Sequence, residues 1–185
     1  MRVIAGRWGG IRLTFHAQKG VRPTTDRVKE TLFNILSDRV EGAQVLDLFA
    51  GTGSWGIEAL SRGAKFVVFV EKSQRMVENI RENLQSVRCT ENFKIVIQDV
   101  HRFLKKCHCS EAPFDLIFAD PPYSLKLGDT LVRALSQQDF LKRRGIFILK
   151  HGSGEEISDT ESLKRTRIKK MGETQLSFFR FEKKG

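Results

Sequence analysis

"VLDLFAGTGSWG", residues 45–56, joins an apolar run to a glycine-rich turn and then to the start of a helical pattern. A continuous apolar strand is one covered on both faces, as in a parallel sheet. Gly51 and Gly53 allow a tight turn after it and let a ligand approach with no Cβ in the way. The spacing of Gly51, Gly53 and Gly56 satisfies G-x-G-x-x-G, and Glu71 stands twenty residues beyond Gly51, at the end of the next apolar run. Strand, glycine turn, helix start and distant acid make up the dinucleotide fingerprint, in which the acid accepts from ribose hydroxyls. A plain βα turn followed by a surface acid is the alternative reading of the same residues.

The alternation continues outward. "GIEALSRG" is helical and ends at Gly63, "FVVFVE" is a second strand, and "SQRMVENIRENLQ" is a helix with Ser73 as its cap. "FKIVIQD", "FDLIFAD" and "GIFILKH" are further strands, with helical pieces near residues 101–107 and 127–142 between them. "KRTRIKKMG" and "TQLSFFRF" read as a closing hairpin that makes the last strand antiparallel. Ahead of this core, "RVIAGRWGGIRLTF" reads as a β-hairpin turning at Gly9-Gly10, with Ile11, Leu13 and Phe15 alternating with Arg12 and Thr14. Arg22, before Pro23, is extended. Thr24, Thr25 or Asp26 then caps a helix whose one face carries Val28, Leu32, Ile35 and Leu36. The expected class is α/β: a doubly wound, Rossmann-like, mostly parallel seven-stranded sheet with one antiparallel strand near the C-terminus, plus an N-terminal hairpin and helix. No linker divides the chain, so residues 1–185 are expected to form one domain, a core at 41–185 with an extension at 1–40.

The formal net charge of +10 and pI near 9.8 are the electrostatic footprint expected of a nucleic-acid partner, with a merely solvated basic surface as the alternative reading. No apolar run approaches the roughly 20 residues of a membrane span. The N-terminal residues lack a signal-peptide stretch. Three cysteines in no framework spacing suit a reducing, cytoplasmic setting. Cys107, His108 and Cys109 with His101 suggest zinc, but one C-x-C without a second paired set does not make a metal site.

Two acids separate S-adenosylmethionine from a nicotinamide cofactor. Asp47, inside the first strand, can receive an ammonium group, which a pyrophosphate cofactor lacks. Asp99, ending the third strand, can accept from an adenine amino group. Together with Glu71 and Asp120 they put four acids at strand ends on one rim of the sheet.

"FADPPYS", residues 118–124, ends the fourth strand. Prolines have no N–H, so Asp120-Pro121-Pro122-Tyr123 presents acceptors only: the Asp120 carboxylate and the Asp120 and Pro121 carbonyls. A stiff acceptor set suits the exocyclic NH2 of a base, whose lone pair is freed when both protons are held. Tyr123 can stack on the base, worth about 1–3 kcal/mol. The competing reading is a strand followed by a proline-rich turn and a core tyrosine.

Motif by motif, the sequence resembles the S-adenosylmethionine-dependent amino-methyltransferases, and more narrowly the RsmD-type bacterial 16S rRNA (guanine-N2)-methyltransferases. "MRVIAGRWGG", "RPTTDRVKETLFN", "LDLFAGTG", "GIEALSRGA", "FVEK", "FADPPY" and "ETQLSFF" carry the resemblance across nearly the whole chain. It implies a methyltransferase fold and S-adenosyl-L-methionine as cofactor, held by Asp47, Phe49, Gly51, Thr52, Gly53, Glu71, Lys72, Asp99 and Val100. It implies a catalytic loop of Asp120, Pro121, Pro122 and Tyr123, with direct in-line transfer to guanine N2 and Asp120 or water taking the proton. Ser54-Trp55 departs from the small or aliphatic residues usual after the turn, and Trp55 is expected to pack beneath it. The implied partner is 16S rRNA within an assembling or assembled small ribosomal subunit, met by a monomer with no metal and no membrane. Arg2, Arg7, Arg12, Arg22 and Arg27 are the candidate RNA contacts, and the basic run 164–170 is a second candidate or a solvated face. DNA adenine-N6 methylation, a nicotinamide oxidoreductase and a non-catalytic RNA-binding factor remain the alternatives.

Overall fold

The computed structural model describes residues 1–16, 25–105 and 110–182. Seven strands form one sheet in the order β3-β2-β1-β4-β5-β7-β6. They are β1 (Gln44–Leu48), β2 (Phe66–Glu71), β3 (Phe93–Ile97), β4 (Phe114–Ala119), β5 (Leu141–Gly152), β6 (Leu163–Met171) and β7 (Thr174–Phe181). β1 to β5 run parallel. β7 is antiparallel to both of its neighbours, so it alone is reversed. The chain belongs to the Rossmann-like α/β class that the alternating pattern predicts.

Helices cover both faces because the strand residues alternate between two cores. α1 (Asp26–Leu36), α2 (Ser54–Ser61) and α3 (Gln74–Ser86) pack on Val45, Phe69, Phe118, Ile148 and Phe178. α4 (Val100–Lys105) and α5 (Gly128–Ser136) pack on Leu46, Leu48, Ile117, Phe147 and Phe179. Of the three candidate caps for α1, the Thr25 hydroxyl takes the role and accepts from the Val28 N–H. Ser73 caps α3 in the same way, at Met76. Val28, Leu32 and Leu36 are buried and Ile35 half-buried, as their spacing predicts.

Two expectations are corrected. The N-terminal hairpin forms, with one antiparallel bridge between Arg2 and Arg12 and with Val3 N donating to Ile11 O, Gly10 N to Val3 O and Leu13 N to Met1 O, but its turn does not lie where expected. The turn between them is wider than Gly9-Gly10, because Ile4, Ala5, Arg7 and Trp8 donate their N–H groups to α2 instead of across a hairpin. The predicted helix 127–142 stops at Ser136, since Leu141 already pairs with Phe114 in a β5 that extends well before "GIFILKH". α4 is described over Val100–Lys105, and the rest of the helical piece expected near 101–107, with Cys107, His108 and Cys109, lies outside the described residues. No helix among the described residues is long and apolar enough to cross a membrane.

Candidate active site

In an open α/β sheet, ligands bind beyond the carboxyl ends of the strands where the strand order reverses. Here that point lies between β1 and β4, which are neighbours in the sheet although two strands intervene in sequence. The glycine turn leaves β1 at this point. Phe49 has φ +56°, Gly51 +54° and Gly53 +75°. Left-handed backbone is rare for a bulky residue such as Phe49 and costs roughly 1–3 kcal/mol. A Cβ at Gly51 would meet nothing closer than 3.8 Å, so the space over this glycine is open and its conformation is what requires it. Gly56 differs. A Cβ there would lie 2.2 Å from Phe69 Cε1, so this third glycine serves the packing of α2 on β2 and not a ligand.

Glu71 ties the turn to its neighbour. Its carboxylate accepts from Gly51 N at 2.9 Å and from Ser73 N at 2.8 Å. Thr52 is fixed from both sides: its carbonyl accepts from Asn83 Nδ2, and its hydroxyl points at Met1 Sδ. Asp47 is 3% exposed and accepts from Gly56 N at 3.0 Å. Burial pushes its carboxyl well above the usual carboxylate range; the Gly56 N–H offsets part of this, and the Asp120 and Glu71 charges add to it. These three acids therefore share one electrostatic neighbourhood.

Asp99 accepts from the N–H groups of His101 and Arg102 and starts α4. With Lys72, Ile97, Gln98, Arg102 and Lys105 it lines a cleft of about 620 Å³ at the β3 end of the rim. Val100 buries its side chain among Leu46, Leu48 and Phe103, which leaves only its main chain for a ligand.

The Asp120–Tyr123 segment has a donor beside it, supplied by β5. The pair Ala119↔Leu149 sets Asp120 beside Lys150, whose Nζ lies 2.7 and 2.8 Å from the two Asp120 carboxylate oxygens. Lys150 is 7% exposed and stands 5.3 Å from the Tyr123 ring centre. The Tyr123 hydroxyl bonds Thr174 Oγ1 at 3.0 Å, its ring lies over Gly152, and it remains 38% exposed. The ring is thus anchored at its hydroxyl and left partly exposed. Next to Lys150, the His151 Nδ1–H donates to the Gly152 carbonyl and Nε2 accepts from Ser177.

Of the candidate RNA contacts, Arg12 and Arg27 are exposed, Arg2 pairs with Asp26 at 3.4 Å, and Arg7 stacks 4.2 Å from the Trp8 ring centre. Arg22 lies outside the described residues. Trp55 is buried edge-on to Phe118 at 5.4 Å, with no partner for its indole N–H among the described residues. No cluster of three or more metal-ligating side chains occurs among the described residues.

Lys150 and Asn83 were missed in the sequence. A lysine directly after a buried strand run, "IFILK", is the available signal for Lys150. Asn83 gave none beyond its place in a helical pattern.

The family model for conserved hypothetical protein 95 matches residues 1–180. "Ribosomal RNA small subunit methyltransferase D" of Haemophilus influenzae is 41% identical over 143 residues, 77% of this chain and 74% of its own. "Putative rRNA methyltransferase YlbH" of Bacillus subtilis is 34% identical over 97% of this chain and 98% of its own. Among solved structures, "Putative methyltransferase yhhF from Escherichia coli" superposes with a TM-score of 0.87 at 28% identity, covering 98% of both chains.

Proposed function

Because the chain belongs to the conserved hypothetical protein 95 family, the RsmD-type family its motifs resemble, we propose that it is an S-adenosylmethionine-dependent rRNA methyltransferase. Its target is the exocyclic N2 of a guanine in 16S rRNA, met as a monomer in an assembling or assembled small subunit. One observation carries the reading: the buried Asp47, beside a left-handed glycine turn, lies within electrostatic range of both Glu71 and Asp120. A cation relieves that repulsion, whereas a pyrophosphate would add to it. The rim therefore fits a ligand with an ammonium and a sulfonium, and disfavours a nicotinamide dinucleotide.

When bound, S-adenosylmethionine supplies an electrophilic methyl group on sulfonium, taken directly and in line by the attacking nitrogen without an enzyme-bound intermediate. Asp47 would hold the ammonium, Glu71 the ribose hydroxyls and Asp99 the adenine amine, with Phe49, Gly51, Thr52, Gly53, Lys72 and the Val100 main chain completing the wall. The chain's remaining task is alignment, which can account for roughly 7–11 kcal/mol in well-oriented systems. Asp120 and the Asp120 and Pro121 carbonyls accept the protons of the amine, and the partly exposed ring of Tyr123 receives the base. Lys150 balances the Asp120 charge, so the loop accepts hydrogen bonds without acting as a strong base. Once methylated, the nitrogen is cationic and acidic, and Asp120 or water suffices to take its proton. Residues 1–40 serve as an RNA-binding extension of the core at 41–185 through Arg2, Arg7, Arg12, Arg22 and Arg27.

Methyl transfer from labelled cofactor to small ribosomal particles, naked 16S rRNA and DNA, followed by mapping, tests the proposal. Label on one guanine N2 of the rRNA is expected. Label on DNA adenine, or calorimetric binding of NAD with none of S-adenosylmethionine, would overturn it. Asp120→Ala is expected to lower kcat at least 100-fold while leaving cofactor affinity within a factor of about two, a loss of roughly 2.7 kcal/mol in the transition state.

A further inference from the structure

We propose that the exposed edge strand β6 is a docking strip for the phosphate backbone of the RNA, leading it to the catalytic loop; this rests on the rRNA reading above. β6 is the last strand of the sheet and carries Lys164, Arg165, Arg167, Lys169 and Lys170 with no acid among them. Arg167, Lys169 and Lys170 are exposed. No ion pair among the described residues engages any of the five.

Register fixes where these charges point. Lys169 lies opposite Leu176, and Leu176 lies opposite Lys150. Lys150 in turn adjoins Asp120. Lys169, Leu176, Lys150 and Asp120 thus form one row across the same face of the sheet. Neighbouring strands are about 4.8 Å apart, so three steps put the Lys169 backbone about 14 Å from that of Asp120. Arg167 lies opposite Phe178, on the same face as Lys169 and two residues away, about 7 Å along the strand. That interval suits successive phosphates of one RNA strand. At its carboxyl end, β6 reaches the loop itself: Met171 pairs with Thr174, and Thr174 bonds the Tyr123 hydroxyl. A nucleotide whose base rests on Tyr123 therefore has its neighbours within reach of Lys169 and Arg167.

Lysines on an edge strand also block pairing with another sheet. One or two charges and the bulge at Arg165/Arg167 meet that need, and five cations exceed it. Half of the chain's excess of ten positive charges stands on this one strand. Phosphate contacts position RNA without reading its sequence, so the strip supplies register and affinity.

The test is the double variant Arg167→Gln, Lys169→Gln, compared with the unaltered chain in RNA binding from 50 to 300 mM KCl and in methyl transfer. The slope of log K against log salt is expected to become shallower by about 1.4, two single-strand phosphate contacts. KM for RNA is expected to rise roughly tenfold, with kcat and the dissociation constant of S-adenosylmethionine unchanged. An unchanged slope and KM would overturn the strip and leave β6 with edge protection alone. If the unaltered chain methylates no RNA, the rRNA reading fails instead. Crosslinking of the unaltered chain to 4-thiouridine-substituted RNA gives a readout that needs no variant. Adducts on β6 peptides support the strip, and adducts confined to the N-terminal segment overturn it.

Discussion

Gly56 illustrates how one residue type serves two ends within a single motif. Gly51 and Gly53 supply left-handed backbone, whereas Gly56 supplies the absence of a side chain against Phe69 and Val67. Gly56→Ala is therefore expected to cost about 1–3 kcal/mol by overpacking. Urea unfolding would record it as a lower midpoint at unchanged slope. Asp47 makes the opposite case, a residue that trades stability for a ligand. Its carboxyl is raised by burial above the unfolded value, so the native state binds more protons than the unfolded one between the two. Stability then falls as pH rises from about 4 through the native value. Asp47→Asn keeps an acceptor for Gly56 N and removes the charge. Its melting temperature is expected to match the original near pH 4 and to exceed it at pH 7. Its affinity for S-adenosylmethionine is expected to fall at least tenfold at pH 7, since a charge-assisted bond is worth about 1.5–3 kcal/mol. Equal melting temperatures at both pH values would contradict the cost assigned to this acid.

At the scale of elements, the N-terminal segment is held to α2 and α3 by buried polar side chains. Glu58, fully buried, accepts from Ile4 N and Ala5 N and pairs with Lys29 and Arg62. Burial lowers the Lys29 ammonium, and the Glu58 charge restores part of that. Asn79 and Asn83 both donate to the Thr14 carbonyl, and they accept from His16 N and Thr14 N. Glu58→Ala leaves Lys29 buried without its carboxylate and is expected to cost about 3–5 kcal/mol. Hydrogen exchange should show the Ile4 and Ala5 amides losing protection first, before those of β1. These contacts explain why the segment was read only in part. Its alternation of Leu13 with Arg12 and Thr14 was legible, and the exposures follow it. Its partners were not, because Glu58, Asn79 and Asn83 occupy helix positions that a hydrophobic pattern assigns to the wet face. A helix periodicity counts apolar side chains, and it cannot foresee backbone N–H groups arriving from 53 to 69 residues away.

Across the whole molecule, the sheet and the rim of acids were legible because they rest on local pattern and on the rule that connections wind one way. Asp47, Glu71 and Asp120 fell together as soon as β1, β2 and β4 were strands of one parallel sheet. The Lys150–Asp120 pair was not legible, since it depends on the register between β4 and β5, and β5 begins earlier than its apolar run. Charge is the other property that belongs to the molecule as a whole. An excess of ten positive charges destabilises the compact state by self-repulsion and at the same time attracts a polyanion. Added salt screens both, with a Debye length of about 10 Å at 0.1 M. Raising KCl from 20 to 200 mM is therefore expected to move two quantities in opposite directions: the melting temperature of the free protein up, by a few degrees, and its affinity for any RNA of given length down, by at least tenfold. Thermal unfolding and fluorescence anisotropy on the same preparation would measure both. A melting temperature that fell with salt would mean that attractive ion pairs such as Lys142 with Asp115 outweigh the net repulsion. The basic surface would then have to be regarded as charge-balanced within the fold, and the RNA would have lost the unsatisfied cations that its binding requires.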